Sequence, residues 1–382
     1  MARLPVAVLL SGRAQFSSYY GGALSRWTYE VYRRLQDQIE LTVFGFPTDR
    51  RTAYPLAHET SGWWRACSFI SQVPVLRRYE DYFWLRALMP RLGSFAVVHI
   101  HNRPQWAPLL RSLGFRGTVI LHLQNDHLGH WTASMLDGLA SQLDALAVCS
   151  TYIQTQSASK SNALASKTRV IFNGVNTKIF FPREEVRERE TIFFTGRLIP
   201  EKGPLQLLRA FQRVLKSHPD AKLIVSGSSG FGTHEETDYV KEVQRTTAAI
   251  EAECGVKIGF PGYLDHDSEL PAYFQRATLF SCPSLFEEPF GLVNAEAMAC
   301  ATPVVGSNRG GIPEVLSDTG RVVDPNDTEQ FAEVLSHLLS HPEERARLGQ
   351  TTLERCQRTF DWDVIAGSWL DFLGDIRHEK LH

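Results

Sequence analysis

Glu288 and Glu296 stand eight residues apart in the segment Pro283-Ser284-Leu285-Phe286-Glu287-Glu288-Pro289-Phe290-Gly291-Leu292-Val293-Asn294-Ala295-Glu296, which follows an apolar run and opens a helical pattern. Glu288 falls in the loop and Glu296 two turns into the helix; eight residues of helix would span about 12 Å, and carboxylates accept hydrogen bonds from sugar hydroxyls. That spacing suits one extended ligand with a sugar at one end and a ribose at the other. Between the two acids, Gly291 permits close approach of a ligand to the backbone. The N–H groups around Leu292 and Val293 would face an anion, with the helix dipole adding a favourable field, and Pro289 suits the entry to a helix. Singly, each glutamate reads as an ordinary helix-start acid. The combination with Pro289, Phe290 and Gly291 after a strand favours a ligand site.

A second loop, Thr195-Gly196-Arg197-Leu198-Ile199-Pro200-Glu201-Lys202-Gly203, also joins a strand to a helix. Arg197 and Lys202 place two cations on it. A departing nucleoside diphosphate gains negative charge in the transition state, and fixed cations stabilise that charge. Alone, the pair would read as solvated cations beside Glu201. A third segment, Tyr19-Tyr20-Gly21-Gly22-Ala23-Leu24-Ser25-Arg26, is a glycine turn where a phosphate loop would lie. It lacks the G-x-G-x-x-G spacing and the P-loop lysine, so a plain tight turn is as good a reading.

These loops need a scaffold. Short apolar runs at Val6–Leu10, Leu41–Phe46, Ala96–Ile100, Thr118–Leu123 and Ala145–Cys149 alternate with segments able to form helices, such as Leu24–Leu35. The pattern restarts at Thr191–Thr195 and continues through Lys222–Ser226, Val256–Phe260, Leu279–Cys282 and Pro303–Gly306, with helices expected at Pro204–Ser217, Glu235–Glu253, Glu269–Arg276 and Val293–Cys300. Such alternation predicts two α/β domains with mostly parallel sheets. The charged run Arg183–Glu190 after Pro182 is the candidate linker, so the expected domains are 1–182 and 183–361. The tail, Trp362–Ile376, has an amphipathic helical pattern with too many apolar residues for a solvated helix. Ligands of open α/β sheets sit outside the carboxyl ends of the strands, which directs attention to the loops above.

Composition excludes other classes. A chain of 382 residues with net charge −2 is long enough for two domains and lacks the bulk charge of a nucleic-acid binder. The six cysteines, Cys67, Cys149, Cys254, Cys282, Cys300 and Cys356, contain no C-x-x-C pair, so a zinc ribbon or redox motif is not expected. The first residues read as a buried strand rather than a signal peptide, and no run is long enough to span a bilayer. A cytoplasmic protein is expected. Aromatic and Arg residues mix from Trp63-Trp64-Arg65 through Arg77-Arg78-Tyr79 to Tyr82-Phe83-Trp84-Leu85-Arg86. They read as helices packed on the first sheet, or as an acceptor-binding or membrane-surface patch at the inner face of the membrane.

Taken together the motifs resemble the retaining GT-B glycosyltransferases of family 4. Glu288 to Glu296 matches that family's E-x7-E, and Gly196-Arg197 with Lys202-Gly203 matches its G-R-x-x-x-x-K-G. Asn173-Gly174-Val175-Asn176 with Phe180 and Pro182 resembles its N-G-V-D-x-x-x-F-x-P, with Asn176 where Asp is usual. Gly310-Gly311-Ile312-Pro313-Glu314 matches its G-G-x-P-E. Ala301 stands in Ala299-Cys300-Ala301-Thr302-Pro303 where the family often has Gly, at a cost of about 1 kcal/mol in a left-handed cap. The family places a His after the strand that here ends His122-Leu123-Gln124-Asn125-Asp126-His127. Gln124 aligns with it, and His122 or His127 could serve instead.

The resemblance implies two Rossmann-like domains facing a central cleft, with the C-terminal segment 362–382 crossing back to the first domain. It implies a retaining, metal-independent transfer of a hexose-type sugar from a nucleotide diphosphate sugar, a UDP-sugar above others, to a saccharide, lipid-linked or small-molecule acceptor. The catalytic set is then Glu288, Arg197, Lys202 and His122. The donor set is Gly21, Gly22, Arg197, Lys202, Tyr263, Phe290, Gly291, Leu292, Val293 and Glu296, and the acceptor set is Gln124, Asn125, Asp126 and His127. Arg197 and Lys202 would hold the diphosphate, Glu296 the ribose and Glu288 the transferred sugar, with no metal and no cofactor. The rivals are a nucleotide-sugar epimerase or hydrolase on the same fold, and a non-catalytic relative that binds or assembles a coat.

Overall fold

The computed structural model describes residues 2–10, 14–17, 22–46, 48, 53–59, 79–230 and 237–379. The chain divides into two compact units, one made of Met1–Asn173 with Trp362–His382 and the other of Gly174–Asp361.

The first unit contains β1 (Leu4–Leu9), α1 (Gly22–Tyr32), β2 (Ile39–Phe44), β3 (His58–Glu59), α2 (Glu80–Leu92), β4 (Val97–His101), α3 (Trp106–Ser112), β5 (Thr118–Leu123), α4 (Ala133–Ala140), β6 (Ala145–Val148), α5 (Thr151–Ala158), α6 (Asn162–Ala165) and β7 (Thr168–Val170). Its sheet runs β3-β2-β1-β4-β5-β6-β7 with parallel neighbours. Strand order reverses between β1 and β4, the kind of switch point that opens a crevice at the carboxyl edge. Every residue of β4, β5 and β6 is buried, because helices cover both faces of a parallel sheet.

The second unit contains β8 (Thr191–Thr195), α7 (Pro204–Val214), β9 (Lys222–Ser226), α8 (Asp238–Cys254), β10 (Ile258–Gly262), α9 (Leu270–Arg276), β11 (Leu279–Cys282), α10 (Leu292–Ala299), β12 (Val304–Ser307), α11 (Ile312–Leu316), β13 (Arg321–Val323), α12 (Thr328–Ser340) and α13 (Pro342–Thr359). Its sheet order, β10-β9-β8-β11-β12-β13, repeats the doubly wound plan with the switch between β8 and β11. Helix α7 shows how the sequence builds this layer. Pro204 opens it, and Leu205, Leu208, Phe211 and Val214 recur at helical spacing and are buried in the core of this unit.

The last helix, α14 (Trp362–Glu379), belongs to the first unit. Trp362, Ile365, Trp369, Phe372 and Ile376 form one buried stripe on it, packed into the core with Trp27, Val31 and Tyr32 of α1. The Trp27 and Trp369 rings meet edge to face at 5.0 Å. Arg34 pairs with Asp363, and Arg169 reaches Asp375 at 2.6 Å. Val364, also apolar, is exposed, since it lies off the stripe.

Two expectations about the division change. The charged run 183–190 is bound to the second unit rather than linking two units. Arg187 donates to the carbonyls of Ala277 at 2.7 Å and Cys300 at 3.2 Å, and Glu188 pairs with Arg276. Residues 174–182 also belong to that unit. Val175 N–H donates to Phe360 O at 2.7 Å, and the Phe180 ring lies 6.0 Å from that of Phe274. Of the aromatic and Arg stretch, residues 63–78 lie outside the described residues, as does Cys67. Its remainder begins α2, where Leu85 is buried, Trp84 packs on Trp106 at 4.8 Å, and Tyr79 and Phe83 are exposed. No helix among the described residues is long and apolar enough to cross a membrane.

Ala301 has φ of +52°, the left-handed backbone that its place after α10 requires. That conformation costs an L-residue about 1–2 kcal/mol, partly offset by the lower unfolded-state entropy of Ala relative to Gly. Ala301→Gly is therefore expected to stabilise the second unit by about 0.5–1 kcal/mol, read as a higher urea midpoint with unchanged slope. A lower midpoint would contradict the strain assigned here.

Candidate active site in the second unit

The loops that follow β8 and β11 flank the switch point, and the backbone holds them together. Leu285 N–H and Phe286 N–H both donate to Glu201 O, at 2.9 and 3.2 Å. Gly203, at φ +68°, makes this possible: a Cβ there would lie 2.0 Å from Pro283 O. A third segment clamps the same place. Gly311 N–H donates to Glu288 O at 2.7 Å and Gly310 N–H to the Glu287 carboxylate at 2.5 Å. A Cβ on Gly310 would lie 2.1 Å from Glu288 O. The G-G-I-P-E turn therefore fixes the backbone that carries Glu288.

Within this frame Lys202 Nζ forms an ion pair with Glu288 Oε1, and Ser284 Oγ donates to the same oxygen at 2.8 Å. Glu288 is only 7 % exposed, so this pair lies where solvent screening is weak. Arg197 sits exposed on the loop after β8, and Tyr263 is exposed after β10. Glu296 is 5 % exposed on α10. Its Oε1 meets His266 Nε2 at 2.7 Å, while the other ring nitrogen of His266 meets Asp267 at 2.6 Å. Glu296 Oε2 is buried without a hydrogen-bond partner, an acceptor ready for a ligand hydroxyl.

Helix α10 begins at Leu292, capped by Gly291 at φ +83°. Leu292 and Val293, as its first residues, have no intrahelical acceptors for their N–H groups. Glu288 thus lies in the loop and Glu296 on the helix, in line with the helix expected from Val293, and the two acids are separated by less than eight residues of helix rise. Phe290 is buried and packs edge-on against Phe360 at 5.4 Å, so it shapes the loop from beneath. Cys282, at the end of β11, is a thiol pushed up to about 11 by burial and then by the Glu288 charge, which rules out a thiolate nucleophile at pH 7.

In the first unit, Gln124 lies at the carboxyl end of β5, 5 % exposed, with both amide atoms unpartnered. Its N–H donates to Asn102 Oδ1 at 2.7 Å, and Asn102 stands at φ +52° just after β4. His127 Nε2 is also buried without a partner. Asn125 is exposed. Asp126 ties its own turn, accepting from Leu128 N–H at 3.2 Å and Gly129 N–H at 2.7 Å. Gly22 opens α1 at φ +58°, whereas Gly21 lies outside the described residues.

His122 requires correction. Its side chain is fully buried in the core of the first unit, 4.5 Å from the Trp27 ring and 5.8 Å from that of Trp369. The alternation of β5 turns it away from any ligand surface and into the layer between sheet and helices. Sequence reasoning also missed Ser284 and His266, which hold the two carboxylates. Ser284 lies inside the motif, four residues before Glu288, but His266 carries no local signal that would pair it with Glu296.

The family described as "Glycosyl transferases group 1" matches residues 175–355, and "Glycosyltransferase Family 4" matches residues 20–179. The chain is 31 % identical over 313 residues to spore coat protein SA of Bacillus subtilis, covering 77 % of this chain and 81 % of that protein. It is 32 % identical to alpha-maltose-1-phosphate synthase of Mycolicibacterium smegmatis over 54 % of this chain and 56 % of that protein. Among solved structures, Anabaena HepE in complex with UDP superimposes with a TM-score of 0.77 at 19 % identity, covering 97 % of this chain and 100 % of that one, a likeness of fold. HepE has also been solved with UDP-glucose.

Proposed function

From the premise that this chain belongs to the group 1, family 4 glycosyltransferases, sugar-transferring enzymes of GT-B fold, we propose that it moves a hexose-type sugar from a nucleotide diphosphate sugar, UDP-sugars first, to an acceptor hydroxyl with retention at the anomeric carbon. The observation that carries this reading is the pair of carboxylates in the second unit. Glu288 is fixed beside Lys202, and Glu296 offers the buried, unpartnered Oε2. Glu296 accepts from the ribose, Glu288 from hydroxyls of the transferred sugar, and Arg197, Lys202 and the first N–H groups of α10 hold the diphosphate.

The bond from the anomeric carbon to the donor phosphate breaks, and a bond from that carbon to the acceptor oxygen forms on the same face. The leaving phosphate takes the acceptor's proton. No metal is needed at the phosphates, because Arg197, Lys202 and the helix end supply the positive field. Gln124 and His127 in the first unit are the proposed acceptor contacts, and His122 takes no part. The complexes of HepE with UDP and UDP-glucose favour uridine as the base.

A thermal-shift series with UDP, GDP, TDP and ADP tests the donor, since a nucleotide at 100 times its Kd stabilises by about 2.7 kcal/mol. UDP is expected to give the largest shift. Turnover of the matching UDP-sugar should yield a glycosylated acceptor and survive excess EDTA. A converted free donor without glycosylated product would favour an epimerase or hydrolase. Loss of turnover restored by Mg2+ or Mn2+ would overturn metal independence at the donor.

A further inference from the structure

Three histidines meet in the core of the first unit, and neither sugar transfer nor packing accounts for them. His99 and His101 are two residues apart on β4 and so point to the same face. His122 on β5 is the in-register partner of His101, which brings it to that face too. All three are fully buried on the side covered by α1 and α14. Ring centroids lie 4.3 Å apart for His99 and His101, 5.0 Å for His101 and His122, and 5.5 Å for His99 and His122. One ring nitrogen from each lies within 4.8 Å of the others.

The hydrogen bonding of this cluster is unfinished in a directed way. Thr28 Oγ1 donates its proton to Leu24 O at 2.9 Å, so towards His101 Nε2, 3.1 Å away, it can only accept. His101 Nε2 therefore carries the proton, and Nδ1 presents a bare lone pair. Tyr32 Oη holds His99 Nδ1 at 2.9 Å, leaving His99 Nε2. Four ring nitrogens, His99 Nε2, His101 Nδ1 and both of His122, are buried with no partner among the described residues. Native cores rarely leave polar atoms unpaired, and an ion is one standard reason when they do.

We propose that His99, His101 and His122 bind one zinc-class divalent transition ion. Three imidazoles are the protein ligand count of a zinc site that keeps its fourth position for a solvent oxygen. Three atoms no more than 4.8 Å apart lie within about 2.8 Å of a common centre, so each moves inward by about 0.7 Å to reach zinc–nitrogen bonding distance. Tyr32 and Thr28 orient two of the rings from behind, as outer partners of metal-bound histidines do. The Trp27 and Trp369 rings pack against the cluster. The site ties β4 and β5 to α1 and, through Trp369, to α14. It is structural and independent of the transfer chemistry proposed above. Because the site is closed to bulk solvent, the ion enters as the chain folds, with one enclosed water as its fourth ligand.

The intact chain should be produced with zinc in the medium and purified without a metal column or chelator. Elemental analysis is expected to find about one zinc per chain. Refolding from denaturant with Co2+ in place of zinc should give the visible absorption of four-coordinate cobalt, and refolding with zinc should raise the melting temperature above that of the metal-free chain. His122→Phe keeps an aromatic ring against Trp27 and should fold with neither zinc nor the zinc-dependent rise. Tyr32→Phe keeps all three ligands and should weaken zinc about 10–100-fold. A folded wild-type chain with neither zinc nor a cobalt spectrum overturns the assignment. So does His122→Phe retaining wild-type zinc, or Tyr32→Phe binding zinc as tightly as wild type.

Discussion

Glu288→Gln is expected to lower kcat by about 10²–10³-fold while leaving the affinity for UDP nearly unchanged. Glu288 shares its Oε1 with Lys202 and Ser284, so its charge sets the position of the ammonium, and in the proposed mechanism it also contacts the sugar. Both effects belong to the reacting end of the donor and grow in the transition state. Glu296→Gln should do the reverse. In the proposed mechanism its buried Oε2 accepts from the ribose, which is bound alike before and during reaction, and a hydrogen bond to a charged group is worth about 1.5–3 kcal/mol. UDP affinity should therefore fall by roughly tenfold or more, with a smaller change in kcat at saturating donor. Calorimetry with UDP and steady-state kinetics separate the two variants. Equal losses of UDP affinity in both would show that the two carboxylates do not divide the ligand in this way.

Trp369→Ala should cost the first unit about 3–5 kcal/mol, which for a unit of this size lowers its melting temperature by roughly 10 °C. The ring is fully buried and touches Trp27 at 5.0 Å, His99 at 4.6 Å and Phe372 at 5.4 Å. Its loss opens a cavity between sheet and helix that rigid neighbours fill only in part. Val364→Ala on the same helix, at an exposed position, should change stability by no more than about 0.5 kcal/mol. Removing residues from Trp362 onward deletes the whole buried stripe and should leave the first unit without its native unfolding transition. A truncated chain that melts as the full one does would mean that α14 contributes no core.

Much of the scaffold is legible in the sequence because it depends on local periodicity. Apolar runs of four to six residues alternating with amphipathic segments place ten of the thirteen described strands to within two residues, the short edge strands β3, β7 and β13 carrying no such run, and the glycines and prolines of the loops after β8 and β11 mark the two turns that carry the site. The apolar surplus of the tail foretells a buried helix. Where spacing encodes only distance along the chain, the reading stops. The helix expected from Val293 begins at Leu292, but eight positions between Glu288 and Glu296 do not reveal that the loop carrying Glu288 is held by the Gly310-Gly311 turn.

The amino-acid sequence by itself determined the family, the two α/β repeats and the acids and cations at the ends of β8 and β11, since each is written in consecutive residues. Tertiary structure decided the partners. Lys202 finds Glu288 across 86 positions and His266 finds Glu296 across 30, pairings set by which strands lie side by side in the sheet. The same holds for residues 174–190, which bind the second unit through Arg187, Glu188 and Phe180. It holds most plainly for His122. One residue of register on β5 separates a histidine at a ligand surface from one facing the core, and only the pairing of His101 with His122 fixes which of the two this chain makes.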